Sequence, residues 1–435
     1  MDNLIGRRYG ALALTVAFLA VVACGQSTGS TYVENGQPLA FATVQPYTGP
    51  NASFGPELGA GCYPAARVIA AAGGVLGHKT VTCSAVDSRG DPVDAVPAVQ
   101  KMLATVANLK GVLGPASNEA LATLPLLNSA HIPMVCDSGQ PVLDTNTLPY
   151  YWRITPSDDY WGYAMAIYSH DQGYKRVALV FGNDISSQGL VPTADAGVKK
   201  LGDQVVIKQE LTLDQSSYRS EVEQLIAASP DVIFGQLDPQ TASTYLAELK
   251  QLHGGIPPLI LYSAQYTPWL QAVSAVVGTA TLAQSYHVLI GSTVTSGSAF
   301  DDYNTNLLAS SADVPNPAQW SNDIYSQSGF DSVVMMALAM LAAGTTDNKV
   351  WNSYLPKVTT AGPNATIVHT FAEGKAALAA GKTIAYEGAI GSIQFDRFHN
   401  SGGGFEVLGY APGNGQQPVL KTYGADAVAN LVNLP

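Results

Sequence analysis

The sequence predicts an α/β protein of two similar Rossmann-like lobes, each built on a mostly parallel sheet. Three observations predict it. Short apolar strands alternate with amphipathic helices from residue 39 onward, the alternation restarts after residues 151–154, and two segments recur in the same order in both halves.

In the first half, strands are expected at 39–44, 80–86, 112–113 and 134–136, with helices over 57–72, 93–109 and 118–129 between them. In the second, strands fall at 177–181, 205–210, 232–234 and 259–262, and helices at 190–201, 218–228 and 241–251. Short apolar runs bounded by turn residues suit strands covered on both faces, and helical spacing of apolar residues suits the covering layers. Pro133-Met-Val-Cys-Asp-Ser-Gly-Gln140 and Pro258-Leu-Ile-Leu-Tyr-Ser-Ala-Gln265 share Pro, Ser and Gln in register. One element upstream, Val112-Leu-Gly-Pro-Ala-Ser117 and Ile233-Phe-Gly-Gln-Leu-Asp238 each join an apolar strand, a glycine and a polar residue opening a helix. Repetition in order favours duplicated lobes, and parallel sheets bind ligands at the carboxyl ends of their strands. The last third is less regular, with a helix at 332–343 and a tail (391–395, then 405–410) read as two strands around the Gly402–Gly404 turn.

Arg7 and Arg8 precede an apolar run, 11–23, that ends at Cys24. At a rise of ~1.5 Å per residue the run covers about 20 Å, short of the ~30 Å hydrocarbon core, so it fits an export signal better than a permanent span. Val21-Val22-Ala23-Cys24 resembles a bacterial lipobox, which makes residues 1–23 a signal peptide, Cys24 the lipidation site and 24–37 a flexible tether. Removing Arg7, Arg8 and Asp2 takes the net charge from −12 to −13, so a basic nucleic-acid footprint is absent. With 47% hydrophobic and 12% charged residues there is material for two cores. Of the remaining cysteines, Cys62 early in the first helix and Cys83 on the second strand are the preferred disulfide pair; the alternative, with Cys136, is three buried thiols.

The residues resemble those of the type I extracellular solute-binding proteins of ABC importers, of the branched-chain amino acid-binding kind. The resemblance is carried by Thr48-Gly49-Pro50 with Phe54-Gly55, Gly73-Gly74, Gly114-Pro115-Ala116-Ser117, Cys136-Asp137-Ser138, Trp152-Arg153-Ile154 with Asp158, Asp231-Val232-Ile233, and Gly391-Ser-Ile-Gln-Phe-Asp396. It implies the type I periplasmic binding protein fold, two lobes joined by three crossings placed near residues 153, 287 and 386. Lobe 1 is then 38–153 plus 287–385, and lobe 2 is 154–286 plus 386–435. It also implies closure on a solute and docking on permease subunits.

Through the resemblance Phe54 offers an aromatic face to the ligand, while Ser117 and Asn118 supply a hydroxyl and a helix N-terminus for a carboxylate. Ser138, Gly139 and Gln140 form a second loop from lobe 1. From lobe 2 come Asp184, Ser186, Asp238 and Gln265. Free N–H groups at a helix start carry roughly half a positive charge, so an anion there needs no lysine. An ammonium would want a carboxylate, with Asp238 first and Asp184 second. The plainer alternatives are a helix cap for Ser117, a turn residue before Pro239 for Asp238, and a core position for Phe54. Where amino acid binders of this kind often carry an acid, Ala264 or Gln265 stands here, which leaves room for an amide or a small carboxylate.

No catalytic residue, metal site or cofactor is expected. Gly25-Gln-Ser-Thr-Gly29 matches a nucleophile-elbow pattern but lies in the tether, and the seven histidines form no paired metal-ligand spacing. The expectation is a non-enzymatic, monomeric lipoprotein, anchored to the cell membrane by lipid only, that delivers an amino acid, amide or small carboxylate to an importer. A ligand-sensing lipoprotein using the same cleft is the alternative, and a secreted enzyme a more distant one.

Overall fold

Alternate side chains of β1 (Leu39–Gln45) enter two different cores, Leu39 and Phe41 on one face and Ala42 and Val44 on the other. A strand covered on both faces belongs inside a parallel sheet with helices on each side. In the computed structural model, which describes residues 36–49, 51–52, 55–116, 119–292, 294–412, 417–424 and 426–432, that is its position. The signal peptide and Cys24 lie outside the described residues.

After β1 come α1 (Gly55–Ala71), β2 (Val81–Asp87), α2 (Pro92–Thr105), β3 (Leu109–Leu113), α3 (Ala120–Ser129), β4 (Met134–Cys136) and β5 (Tyr151–Arg153). The five strands pair in parallel in the order β2-β1-β3-β4-β5. The helix expected over 93–109 stops at Thr105, where Val106 turns to extended geometry (φ −84°, ψ 102°), and β3 begins at Leu109.

The second run is α4 (Asp158–Asp171), β6 (Arg176–Gly182), α5 (Ile185–Lys200), β7 (Gln204–Leu211), α6 (Arg219–Ala228), β8 (Val232–Gln236), α7 (Pro239–His253), β9 (Leu259–Tyr262), α8 (Thr267–Val277), α9 (Thr279–Ser285) and β10 (Tyr286–Gly291). Ala178, Val180, Ile233 and Leu261 face one core, and Val177, Leu179, Phe234 and Ile260 the other. Position 287, where a crossing is expected, lies inside β10, and the chain leaves the second sheet after Gly291.

The chain then adds α10 (Ser298–Leu308), α11 (Ile324–Ala343), α12 (Asn348–Trp351), α13 (Leu355–Thr359), β11 (Thr366–Val368), α14 (Phe371–Ala379), β12 (Ile384–Gly388) and β13 (Gly391–Ser392), before β14 (Phe405–Gly409), β15 (Val419–Tyr423) and α15 (Asp426–Val432). The second sheet runs β15-β14-β10-β9-β8-β6-β7, with β14 and β15 antiparallel. A third, small sheet is β11-β12-β13. The two tail strands expected to flank one glycine turn therefore belong to different sheets: β13 pairs with β12, and β14 with β10. Among the described residues α11 is the one helix long and apolar enough to cross a membrane, yet its residues 326–340 are all buried in the core shared with α1 and the first sheet.

Cys62 of α1 and Cys83 of β2 are joined by a disulfide with Cα atoms 6.1 Å apart, and Cys136 is a buried free thiol. Helices α1 and α11 meet at glycines. A Cβ on Gly61 would overlap the Ser326 carbonyl oxygen, and one on Gly329 would overlap that of Leu58. Because the contact is backbone to backbone, neither helix can yield by changing a rotamer. We predict that Gly61→Ala destabilises by about 1–3 kcal/mol, as overpacking does, lowering the melting temperature. An unchanged melting temperature would show that the two helices can slide apart without loss.

Candidate functional site

In both sheets the loops that leave the carboxyl ends of the parallel strands gather where the bodies meet. Tyr262, the last residue of β9, donates or accepts a 2.9 Å hydrogen bond with the hydroxyl of Tyr325 in the first turn of α11, so a side chain of the second sheet reaches a helix of the first core. Trp161 of α4 stacks on Tyr262 with ring centroids 4.8 Å apart. Thr155, Trp161, Tyr262, Gln265, Gly291 and Tyr325 border a void of about 10 Å³, room for about one water. A larger hollow of about 430 Å³ lies at Arg176, Lys199 and Gln204, open to solvent at the amino ends of β6 and β7, the wrong end of the sheet for a parallel α/β ligand site.

The first crossing follows β5. Arg153 is 2% exposed, and its guanidinium donates to the carbonyls of Ser138 (3.3 Å) and Gln140 (3.5 Å) and pairs with Asp144 (2.5 Å). The third crossing, expected near residue 386, is not there, since Tyr386 lies in β12 within the first core. The segment that returns beside β5 comes later, where Arg153 N–H donates to the His399 carbonyl, Ser401 N–H donates to the Arg153 carbonyl, and His399 stacks flat on Trp152 at 3.9 Å. On the α11 side, Asp331 accepts from the Tyr386 hydroxyl (2.6 Å) and from the N–H groups of Ala389 (3.0 Å) and Ile390 (2.8 Å), which ties the β12–β13 turn down.

The expected ligand residues divide among these surroundings. Phe54, Ser117 and Asn118 lie outside the described residues. Ser138 is fully buried, with its Oγ accepting from Gln140 N–H at 3.3 Å. Gly139 accepts from Asp158 N–H through its carbonyl, and a Cβ there would overlap the Asp158 carboxylate. That loop thus builds the first crossing. Asp184 caps α5, accepting from the Ser187 N–H and hydroxyl. Asp238 caps α7 through Oδ1, which accepts from Gln240 and Thr241 N–H, while its Oδ2 is buried without a partner. Ser186 accepts from Gln236 Nε2 at 3.1 Å, which joins the loops after β6 and β8. Gln265 lines the void, its carbonyl accepting from Gln417 and its Oε1 left without a partner.

Sequence reasoning passed over Glu57, Asp137, Asp158, Asp323, Tyr262 and Tyr325. Glu57 stands in the first turn of α1, where an acid reads as a partner of the helix dipole, but it is 4% exposed and its Oε1 has no hydrogen-bond partner. Burial, then the charges of Asp323 and Asp137, holds its carboxyl well above the usual range. Asp137 is pushed up to about 8 by burial and by Glu119, although Gln45 Nε2 donates to it at 3.2 Å. Burial pushes Asp323, the cap of α11, to about 6. Of these residues, Asp137 and Tyr262 had a usable signal, since they hold the same position in the two repeated segments that end at Gln140 and Gln265.

Asp158 is likewise pushed up to about 8, chiefly by burial; Arg153 opposes this, and Asp144, Asp159 and Asp184 add to it. Its folded-state value lies above its ordinary 3.8, so the folded form holds this proton more tightly than the unfolded chain does. The associated stability is complete below the unfolded value and is lost as pH rises through about 8. We predict that the melting temperature declines between pH 4 and pH 8 with a slope that Asp158→Asn reduces. A thermal series in which both proteins show the same slope would remove Asp158 as its source.

With this geometry in place, likeness to known proteins becomes interpretable. The profile of the periplasmic binding protein family matches residues 38–402. An amino acid binding protein of Pseudomonas aeruginosa is 28% identical over 205 residues, 46% of this chain and 54% of that protein. The chain spans about half the length of the curated relatives it matches. A leucine-binding protein of Thermotoga maritima superposes with a TM-score of 0.69 at 17% identity, over 89% of this chain and 99% of that one. A solute-binding protein of an ABC transporter from R. palustris, solved in complex with benzoate, gives 0.68 at 14% identity, over 89% and 97%. These structures share the α/β fold with mostly parallel sheets. Matched over residues 38–402, the chain belongs to the periplasmic binding protein family.

Proposed function

We propose that the chain is the solute-binding component of an ABC-type importer, capturing an amino acid, an amide or a small carboxylate between its lobes and passing it to permease subunits. The single observation that carries this is the Tyr262–Tyr325 contact, in which the strand-end side of the second sheet touches α11 of the first core. A void of about 10 Å³ beside it is far too small for such a solute, so loading requires the lobes to part about the three crossings. A guest that touches both sides then stabilises the closed form over the open one. An amino acid binding protein and a benzoate complex among the similar proteins support this range of solutes.

The lobes are taken as 38–153 plus 292–395 and 154–291 plus 396–435, moved from the expected bounds at 287 and 386 because β10 stays in the second sheet to Gly291 and Tyr386, Ala389 and Ile393 lie in the first core. The site is taken as Phe54, Ser117, Asn118, Ser138, Gly139, Gln140, Asp184, Ser186, Asp238 and Gln265. The protein is proposed to act as a monomer without catalysis. Export follows from the family, and the lipid anchor at Cys24 is our extension of it. In cells fed a labelled fatty acid, the protein should carry label that Cys24→Ala abolishes; label retained by that variant would place the anchor elsewhere or remove it.

The decisive test is thermal unfolding of the purified protein with candidate solutes. A true guest at about 100 times its Kd should add about 2.7 kcal/mol of stability and be recovered chemically unchanged. Conversion of the guest would replace capture by catalysis. Ser117→Ala should weaken binding by about 1 kcal/mol or more, and calorimetry showing equal affinity would take Ser117 out of the site.

A further inference from the structure

Acceptor oxygens outnumber donors where the lobes meet. Glu57 Oε1, Asp137 Oδ1, Asp158 Oδ2, Gln236 Oε1, Asp238 Oδ2 and Gln265 Oε1 are buried there or in the adjoining strand-end loops, each without a hydrogen-bond partner, against the unpartnered donors Trp161 Nε1 and Arg153 Nε. Buried polar atoms are ordinarily satisfied, so a surplus of one kind indicates the complement of what binds. A surplus of acceptors asks for a guest rich in N–H or O–H groups.

Glu57 is the most exacting of these. Unlike Asp184 and Asp238, it accepts no helix-capping bond, and no basic side chain is among the groups acting on Glu57, Asp137 or Asp323. Arg153, the nearby cation, is already held by Ser138, Gln140 and Asp144. Glu57 opens α1, whose Gly61 lies against Ser326 at the start of α11, next to the Tyr325 that bonds Tyr262 of the second body, which sets Glu57 beside the boundary. Among the described residues no group of acids, histidines or cysteines is tight enough to hold a metal ion, so the complement is an organic cation.

We infer that Glu57 receives a protonated nitrogen of the solute, so that the guest is an amine or a zwitterion whose ammonium points at the start of α1 rather than at the capped carboxylates of the second lobe. The inference rests on the solute-binding reading. Without a cation beside it the buried Glu57 carboxyl keeps its proton, and a guest ammonium lets it ionise and accept a charge-assisted hydrogen bond. Nitrogen-free acids bring no cation and leave the carboxyl neutral.

The test uses the exported form of the full chain, wild type and Glu57→Gln, in calorimetry and thermal unfolding. The probes are L-leucine, L-arginine and 3-methylbutylamine, which carry a protonated nitrogen, and 4-methylpentanoate and benzoate, which do not. Binding confined to the nitrogen-bearing probes, weakened about 10- to 100-fold in Glu57→Gln with the melting temperature of the free protein unchanged or raised, is the expected result. Glu57→Asp should fall between the two. Preference for the nitrogen-free acids, or amine binding undiminished in Glu57→Gln, overturns the inference and leaves solute capture standing. A lowered melting temperature of the free Glu57→Gln protein with equal affinity assigns Glu57 to the helix start alone and also overturns it. If none of the probes binds the wild type, the solute-binding reading falls and this inference falls with it.

Discussion

A buried guanidinium holds the two halves in register. Arg153 stands at the end of the last strand of the first sheet; its Nη1 donates to two carbonyls of the loop after β4 and its Nη2 to the carboxylate of Asp144. Its backbone is bonded on both sides to the returning third crossing at His399 and Ser401. An unpaired guanidinium in that position would be prohibitively desolvated, so the loop carbonyls and Asp144 must be where they are. The strand-end loop and two chain crossings therefore share one anchor, polar and buried, in which the guanidinium amino groups are bonded and Nε is left without a partner.

The acids nearby have a different character. Asp331 is buried but accepts three hydrogen bonds, so it locks α11 to the β12–β13 turn. Glu57 and Asp137 are buried with an oxygen left over. A satisfied buried acid stiffens the frame around it, while an unsatisfied one is costly to bury. On the proposed function, this division would let a guest act as the missing partner instead of competing with one already present.

Much of the fold was legible because each strand carries its own two-sided apolar pattern. Residues 259–262 and 134–136 were read to the residue, since their bounding prolines and serines leave little latitude. Helix ends were less legible: α5 begins at Ile185, before its apolar spacing starts, because the Asp184 side chain supplies the cap. The last third was the least legible, because the partners of β13 and β14 are fixed by distant strands and not by the glycines between them. For the site, the loops could be found from repetition, but which side chain within a loop faces the partner lobe depends on tertiary contacts. Glu57 looked like an ordinary first-turn acid, and Ser138 and Gly139, expected to meet a ligand, bond with Arg153 and Asp158 through their carbonyls.

The long apolar helix α11 carries a further consequence for how the protein is made. It covers one face of a sheet whose strands all precede residue 154, yet it is itself contributed by residues 324–343. A nascent chain therefore leaves the face that carries Leu39, Phe41 and Leu113 covered by α1 alone until the second body, 158–291, has been synthesised in between. The second sheet waits longer still, because β14 and β15 close it only after residue 423 has been made. Neither half is complete before the other has emerged, and any factor that shields an unfinished sheet would find a target in each.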